Sequence, residues 1–204
     1  MELNANFTNA ISNALHASFL FLYFVGAFIH YLKKNRNFSF LIALFFLTLF
    51  ILKILGVYVH YYNSEAILPP AWIAISLLTI LLNYLVVHAM DMPETSRVSV
   101  LFLSITSSFL FVTHGGGFIF IALPIMLVYL IAAYYSQSKL RYSFLMVVAS
   151  NIVWILAREI ANYITGHEIP IAWRYDNDLY HLMLIISTFM IYKSISKGYW
   201  RHPN

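Results

Sequence analysis

The chain has 204 residues, 61% hydrophobic and 10% charged, with a formal net charge of +4 and no cysteine. A soluble domain carries about 25% charged residues, and one of this length has too little interior to hide so much apolar side chain. A water-soluble fold, disulfides, thiol catalysis and Cys-ligated metal are therefore excluded, and the basic residues, which sit in short loops, read as membrane-orientation signals rather than as a nucleic-acid surface.

A helix needs about 20 apolar residues to cross the hydrocarbon core. The pattern predicts an all-α, polytopic membrane protein, a seven-transmembrane-helix bundle in one domain over 1–204. Met1-Glu2-Leu3-Asn4 lacks the positive stretch of a signal peptide, so the first apolar segment, 10–32, is expected to be a retained helix. Lys33-Lys34-Asn35-Arg36-Asn37 is too charged to stay in lipid and separates it from the second span, 38–60. Pro69-Pro70 suits the start of the third span, 70–90, where a missing N–H costs nothing. The polar turn Asp91-Met92-Pro93-Glu94-Thr95 leads to 98–113, and Gly115-Gly116-Gly117 breaks the apolar run before 118–135. Spans 142–164 and 177–195 follow, flanked by loops Ser136–Arg141 and Thr165–Asp176. The Ser- and Thr-rich 98–113 and the Pro124-containing 118–135 also suit a re-entrant hairpin or one broken helix.

Charge counting favours seven crossings. One side then receives Lys33, Lys34, Arg36, Arg97, Lys139, Arg141, Lys193, Lys197 and Arg201, and the other only Arg174, with Lys53 and Arg158 inside helices. The positive-inside rule places the N-terminus outside and the C-terminus in the cytoplasm. Short loops and the lack of cysteine suit a bacterial inner membrane.

Ionisable groups within a span are costly and usually face the bundle interior or a water-filled cavity. At 100° per residue, Asn151, Arg158 and Asn162 fall within about 40° of one another, and Glu159 lies about 80° from Asn151. Lys53 and His60 share a face with Gly56 between them; Asn9, Asn13 and His16 share another; Asp178, His181, Thr188 and Tyr192 a third. His114 ends the fourth span, and His167, Glu168 and Asp176 stand in the last outer loop. Five helices thus offer polar groups in the outer half of the bundle, whereas the cytoplasmic half offers mainly His88 and Asp91.

Each feature has a plain structural reading beside the functional one. Arg158 and Glu159 are adjacent, so each is expected to meet a group on another helix, Lys53 with Glu159 being one pair, and such pairs can serve packing alone. Histidines near span ends can sit with their ring tips in water, as Tyr and Trp do at the interface, here Trp72, Trp173, Tyr199 and Trp200. His30 and His202 read as surface residues. The triple glycine lacks the Lys-Ser/Thr of a phosphate loop and reads as a tight turn. Asn6-Phe7-Thr8 is a glycosylation sequon that matters only in a secretory pathway.

Gly56-Val57-Tyr58-Val59-His60 and Asn177-Asp178-Leu179-Tyr180-His181, on seven helices with the N-terminus outside, resemble the superfamily of alkaline ceramidases and progestin/adiponectin-type receptors. There a Ser-x-x-x-His segment and a later His-x-x-x-His segment hold zinc, and members cleave lipid amides. This chain has Gly56 in place of that serine and Asn177 in place of the first late histidine. The resemblance implies zinc on His60 and His181, with His114, Glu65, Asp178 or another group as the third ligand that catalytic zinc requires.

Three functions follow. The first is a metal-dependent hydrolase of a lipid amide or ester, with metal on His60, His181 and His114, Asp178 or Glu159 as general base, and Lys53, Arg158 and Asn162 holding the substrate. The second is a carrier or sensor for a small solute or protons, resting on Lys53, Arg158, Glu159 and His181. The third is a structural membrane protein with no site of its own. The expected partners are the bilayer and a lipid or small-molecule ligand; the sequence leaves the oligomeric state open.

Overall fold

The computed structural model describes residues 5–34, 37–62, 66–89, 92–116, 119–168 and 174–196. The readings of Arg36, Glu65, Asp91, Gly117, Trp173, Lys197, Tyr199, Trp200, Arg201 and His202 lie outside them, as does Met1–Asn4. Among the described residues the chain forms seven helices: α1 (Ala5–Lys34), α2 (Asn37–Tyr62), α3 (Leu68–Ala89), α4 (Glu94–Thr113), α5 (Ile119–Tyr134), α6 (Ser138–Thr165) and α7 (Asp176–Ser196). Six are long and apolar enough to cross a membrane; α5, with 16 residues, is shorter.

The breaks have local causes. Pro69 and Pro70 stand in the first turn of α3, where no N–H is missed. At the end of α4, Gly115 and Gly116 take the left-handed conformation, with φ of 64° and 78°. The Gly116 N–H donates to Phe111 O at 2.8 Å and the Gly115 N–H to Val112 O at 3.4 Å, which is the Schellman termination. The fourth and fifth segments are therefore two separate helices rather than one broken one. Pro124 is buried inside α5, and Arg141 closes that helix by donating from Nε to Ala133 O and from an Nη to Ser136 O. The sequon Asn6-Phe7-Thr8 lies in the first turns of α1, which begins earlier than the apolar run.

The distribution of side chains is that of a protein in lipid. In α4 the buried face includes Ser104, Ser107 and Ser108 beside Val100 and Phe111, while Phe102 and Phe109 are 71% and 67% exposed. Water would favour the reverse. In hydrocarbon, small residues let helices approach, and hydroxyls find partners across the interface. Asn83 of α3 donates to Ser104 Oγ at 2.8 Å. Between α6 and α7, Ser143 meets Ser194 at 3.3 Å and Ser150 meets Ser187 at 3.4 Å, all four buried. One heptad separates the two pairs on each helix, so they form a straight antiparallel seam. Tyr180, donating to Asn151 Oδ1, and Trp154 Nε1, donating to Asn177 Oδ1, continue it.

The helices form a ring. α1 packs on α2 and α7, α2 on α3, α3 on α4 and α5, α5 on α6, and α6 on α7. α1, α3, α5 and α7 begin, and α2, α4 and α6 end, at one face, here the N-terminal end of the bundle. α1 and α7 run parallel: Ser12 meets Asp178, His16 meets Thr188, and Tyr23 stacks on Tyr192 with centroids 4.6 Å apart. Gly26 makes room for Tyr192, whose hydroxyl is 2.5 Å from where a Cβ would stand.

A side chain at Gly116 would be strained at φ 78° and its Cβ would run into the indole of Trp72. Gly116→Ala is expected to cost at least the left-handed penalty, about 1–2 kcal/mol. Gly115→Ala meets Trp72 only at 3.9 Å and is expected to cost less. Thermal unfolding of both variants in detergent, followed by tryptophan fluorescence, checks the order.

Candidate functional site

Inside the ring lies a cavity of about 330 Å³, at the small end of ligand cavities, roughly 300–1,000 Å³. Most of its wall is apolar: Leu49 and Leu52 of α2, Ile75 and Leu82 of α3, Ile121 and Ile125 of α5, and Leu184 of α7. Its polar groups are Asn13 and His16 of α1, Lys53 and His60 of α2, Thr79 of α3, Tyr129 of α5, and Tyr180, His181 and Thr188 of α7. Gly56 permits this convergence, since a Cβ there would stand 2.8 Å from Asn13 Oδ1; a larger residue would push α1 and α2 apart.

Lys53 is the cationic side chain in that wall. Its Nζ lies over the Tyr180 ring, 5.7 Å from the centroid. The described residues supply it no carboxylate partner: the ion pairs found are Arg158–Glu168 and Arg174–Asp176. A cation–π contact gives about 0.5–2 kcal/mol, whereas desolvating an ammonium costs several kcal/mol. The contact alone does not offset the cost of placing the charge there.

His16 is 1% exposed. Thr188 Oγ1 donates to Leu184 O at 2.8 Å, so His16 Nε2, 3.0 Å away, donates to Thr188 Oγ1. That leaves His16 Nδ1 as a buried acceptor with no hydrogen-bond partner among the described residues. The cavity thus offers a lysine without a carboxylate partner among the described residues and an unsatisfied acceptor.

His60 and His181 face each other with ring centroids 6.3 Å apart. His181 Nδ1 is engaged by Ser12 Oγ at 2.8 Å, and Ser12 Oγ also donates to Asp178 Oδ1 at 2.7 Å. Lys53, His60, His181 and Asp178 are therefore brought together. The other sequence-predicted site residues are not. His114 is exposed at the end of α4, its Nδ1 3.0 Å from Leu110 O and its ring against Phe120. Arg158 pairs at 2.8 Å with Glu168, in the loop after its own helix rather than on another helix. Glu159 is exposed and does not pair with Lys53. Asn162 is partly buried and does not line the cavity. Zinc fits this arrangement poorly: catalytic zinc takes three protein ligands, and among the described residues no three His, Asp or Glu side chains stand close enough to hold a metal.

Sequence reasoning passed over Ser12, Tyr129 and Tyr180. The signal for Ser12 was present, three residues after Asn9 and four before His16 on the same helical face. Comparison of the chain with protein families, with curated proteins and with solved structures finds no match.

Proposed function

We propose that the chain crosses a bacterial inner membrane seven times, N-terminus outside, and that its cavity binds a small amphiphilic anion as a carrier or sensor site. The acid group lies against Lys53, and the tail runs along Leu52, Ile75 and Ile125. The observation that supports this is Lys53 itself, a lysine in a largely apolar cavity without a carboxylate partner among the described residues. An anionic ligand supplies the missing countercharge, and a hydroxyl or protonated acid on it supplies a donor for His16 Nδ1. The orientation rests on the charge asymmetry of the loops.

Trp72 borders the cavity and reports on its filling. Purified protein in nanodiscs is expected to bind octanoate and octyl phosphate saturably, read by tryptophan fluorescence and calorimetry, and to discriminate against octanol and octylamine. Equal binding of octanol would remove the role of charge, and no saturable binding of any of the four would end the proposal. The two acids differ in headgroup, and their ratio tells carboxylate from phosphate.

The facing pair His60 and His181 favours one second reading, the metal-dependent hydrolase. It requires a further donor. Near-stoichiometric zinc in the purified protein, lost in His60→Ala/His181→Ala, would support it; its absence from both would leave the anion site as the functional reading.

A further inference from the structure

Ser12 is 8% exposed, and its Oγ is the centre of a three-residue contact. Asp178 Oδ1 is 2.7 Å away, His181 Nδ1 2.8 Å and Asn9 O 3.1 Å. A hydroxyl has one hydrogen to give. An ionised carboxylate only accepts, so the 2.7 Å contact is Ser12 donating to Asp178. Ser12 then has no hydrogen left for His181, and the 2.8 Å contact is His181 Nδ1–H donating to Ser12 Oγ. The neutral imidazole is left with a bare Nε2. His181 lines the cavity, and Asp178 stands in the first turn of α7, at the N-terminal end of the bundle.

The same three heavy atoms support the opposite arrangement without moving. If Asp178 carries a proton, it donates to Ser12, Ser12 donates to His181 Nδ1, and the imidazole hydrogen sits on Nε2. We propose that Asp178, Ser12 and His181 form a proton relay between the cavity and the N-terminal end of the bundle. A protonated acid in the cavity gives its proton to Nε2: its O–H bond breaks, the N–H bond forms, and the acid is left as its anion. Nδ1 releases its hydrogen to Ser12 Oγ, and Ser12 releases its own to Asp178 Oδ1. One proton has moved from the acid to the Asp178 carboxylate, which becomes neutral, Ser12 and His181 stay neutral, and the reverse sequence returns the proton. The charged and titratable groups facing His181 are Asp178 on its own helix, His16 on α1, and His60 and Lys53 on α2; Arg174 precedes α7 beside Asp176. From α6 the seam presents only uncharged Ser150, Asn151 and Trp154. The relay requires a free His181 Nε2, so a metal bound at that nitrogen would abolish it.

Histidine labelled with nitrogen-15, in protein held in nanodiscs, reads the arrangement directly. His181→Asn assigns its signal among the eight histidines. The expected result at neutral pH is the Nδ1–H tautomer for His181. Ser12→Ala is expected to convert it to Nε2–H and to slow proton exchange at Nε2 by roughly tenfold or more, while Ser12→Thr, which keeps the hydroxyl, retains the parent tautomer and rate. Asp178→Asn is expected to slow exchange as Ser12→Ala does. An Nε2–H tautomer beside an ionised Asp178 would overturn the relay. So would exchange in both Ser12→Ala and Asp178→Asn as fast as in the parent. Unchanged signals from the other seven histidines establish that the variants are folded.

Discussion

Lys53→Met is expected to raise the stability of the protein while removing its affinity for octanoate. The two effects have one cause. A lysine at the centre of a span costs roughly 2.5–3.5 kcal/mol on insertion scales, and Lys53 sits close to the middle of the apolar stretch Phe40–Tyr62, so the relief should be most of that, about 2–3 kcal/mol. Methionine has nearly the same length and fits the same lining of Leu49, Leu52 and Ile125. For the ligand the sign reverses. Deleting one member of a buried charge pair costs about 2–5 kcal/mol, which is about 30-fold or more in Kd. Thermal unfolding and octanoate titration of the same preparation measure both. A variant that is less stable and binds as the parent does would show that Lys53 supports the fold and serves no ligand.

Ser150→Leu is expected to be the most damaging single change in the α6–α7 seam. Ser150 and Ser187 are both fully buried, with their hydroxyl oxygens 3.4 Å apart. A leucine has no space between helices that approach this closely. Overpacking costs about 1–3 kcal/mol, and Ser187 loses its partner across the seam as well. In lipid the tails outside are as apolar as the new side chain, so nothing favours keeping it inside. The helices would separate there, and with them Tyr180, whose hydroxyl is anchored on Asn151 and whose ring faces Lys53. Ser150→Ala keeps the spacing and should cost about 1 kcal/mol or less. Monodisperse yield and unfolding temperature of the pair separate close packing from the hydrogen bond.

Most of the architecture is legible in the sequence because a bilayer penalises charge and open backbone so heavily. The second segment, expected over 38–60, forms α2 as Asn37–Tyr62, and the seventh, expected over 177–195, forms α7 as Asp176–Ser196. The first helix begins at Ala5 rather than near residue 10, since a helix needs its own hydrogen bonds and not an apolar environment. α6 likewise starts at Ser138, four residues before the apolar run, through Lys139 and Arg141. Periodicity also gives the faces: Asn9, Asn13 and His16 are all buried together, as are His181 and Thr188. What periodicity lacks is the bearing of one helix to another. Tyr180 stands against Asn151 and Asn177 against Trp154, so Arg158 and Asn162 lie nearer the N-terminal end of the bundle than His181, and Arg158 reaches along the loop to Glu168 instead of into the cavity. Ser12 escaped notice because a hydroxyl carries no charge and is common in spans. Its importance comes from Asp178 and His181 on a helix more than 160 residues later.

On the proposed membrane placement, α5, the shortest helix among the described residues, ties this cavity to the thickness of the surrounding lipid. Sixteen residues rise about 24 Å, against a hydrocarbon core of about 30 Å, while the other helices have the length to span it. Such hydrophobic mismatch is met by thinning of the adjacent leaflets or by displacement of the helix, at a fraction of a kcal/mol per Å. α5 contributes Ile121, Ile125 and Tyr129 to the cavity wall, so any displacement alters the volume a ligand meets. Acyl-chain length then becomes a variable of binding, and affinities compared between detergent micelles and bilayers of different lipids describe differently shaped cavities.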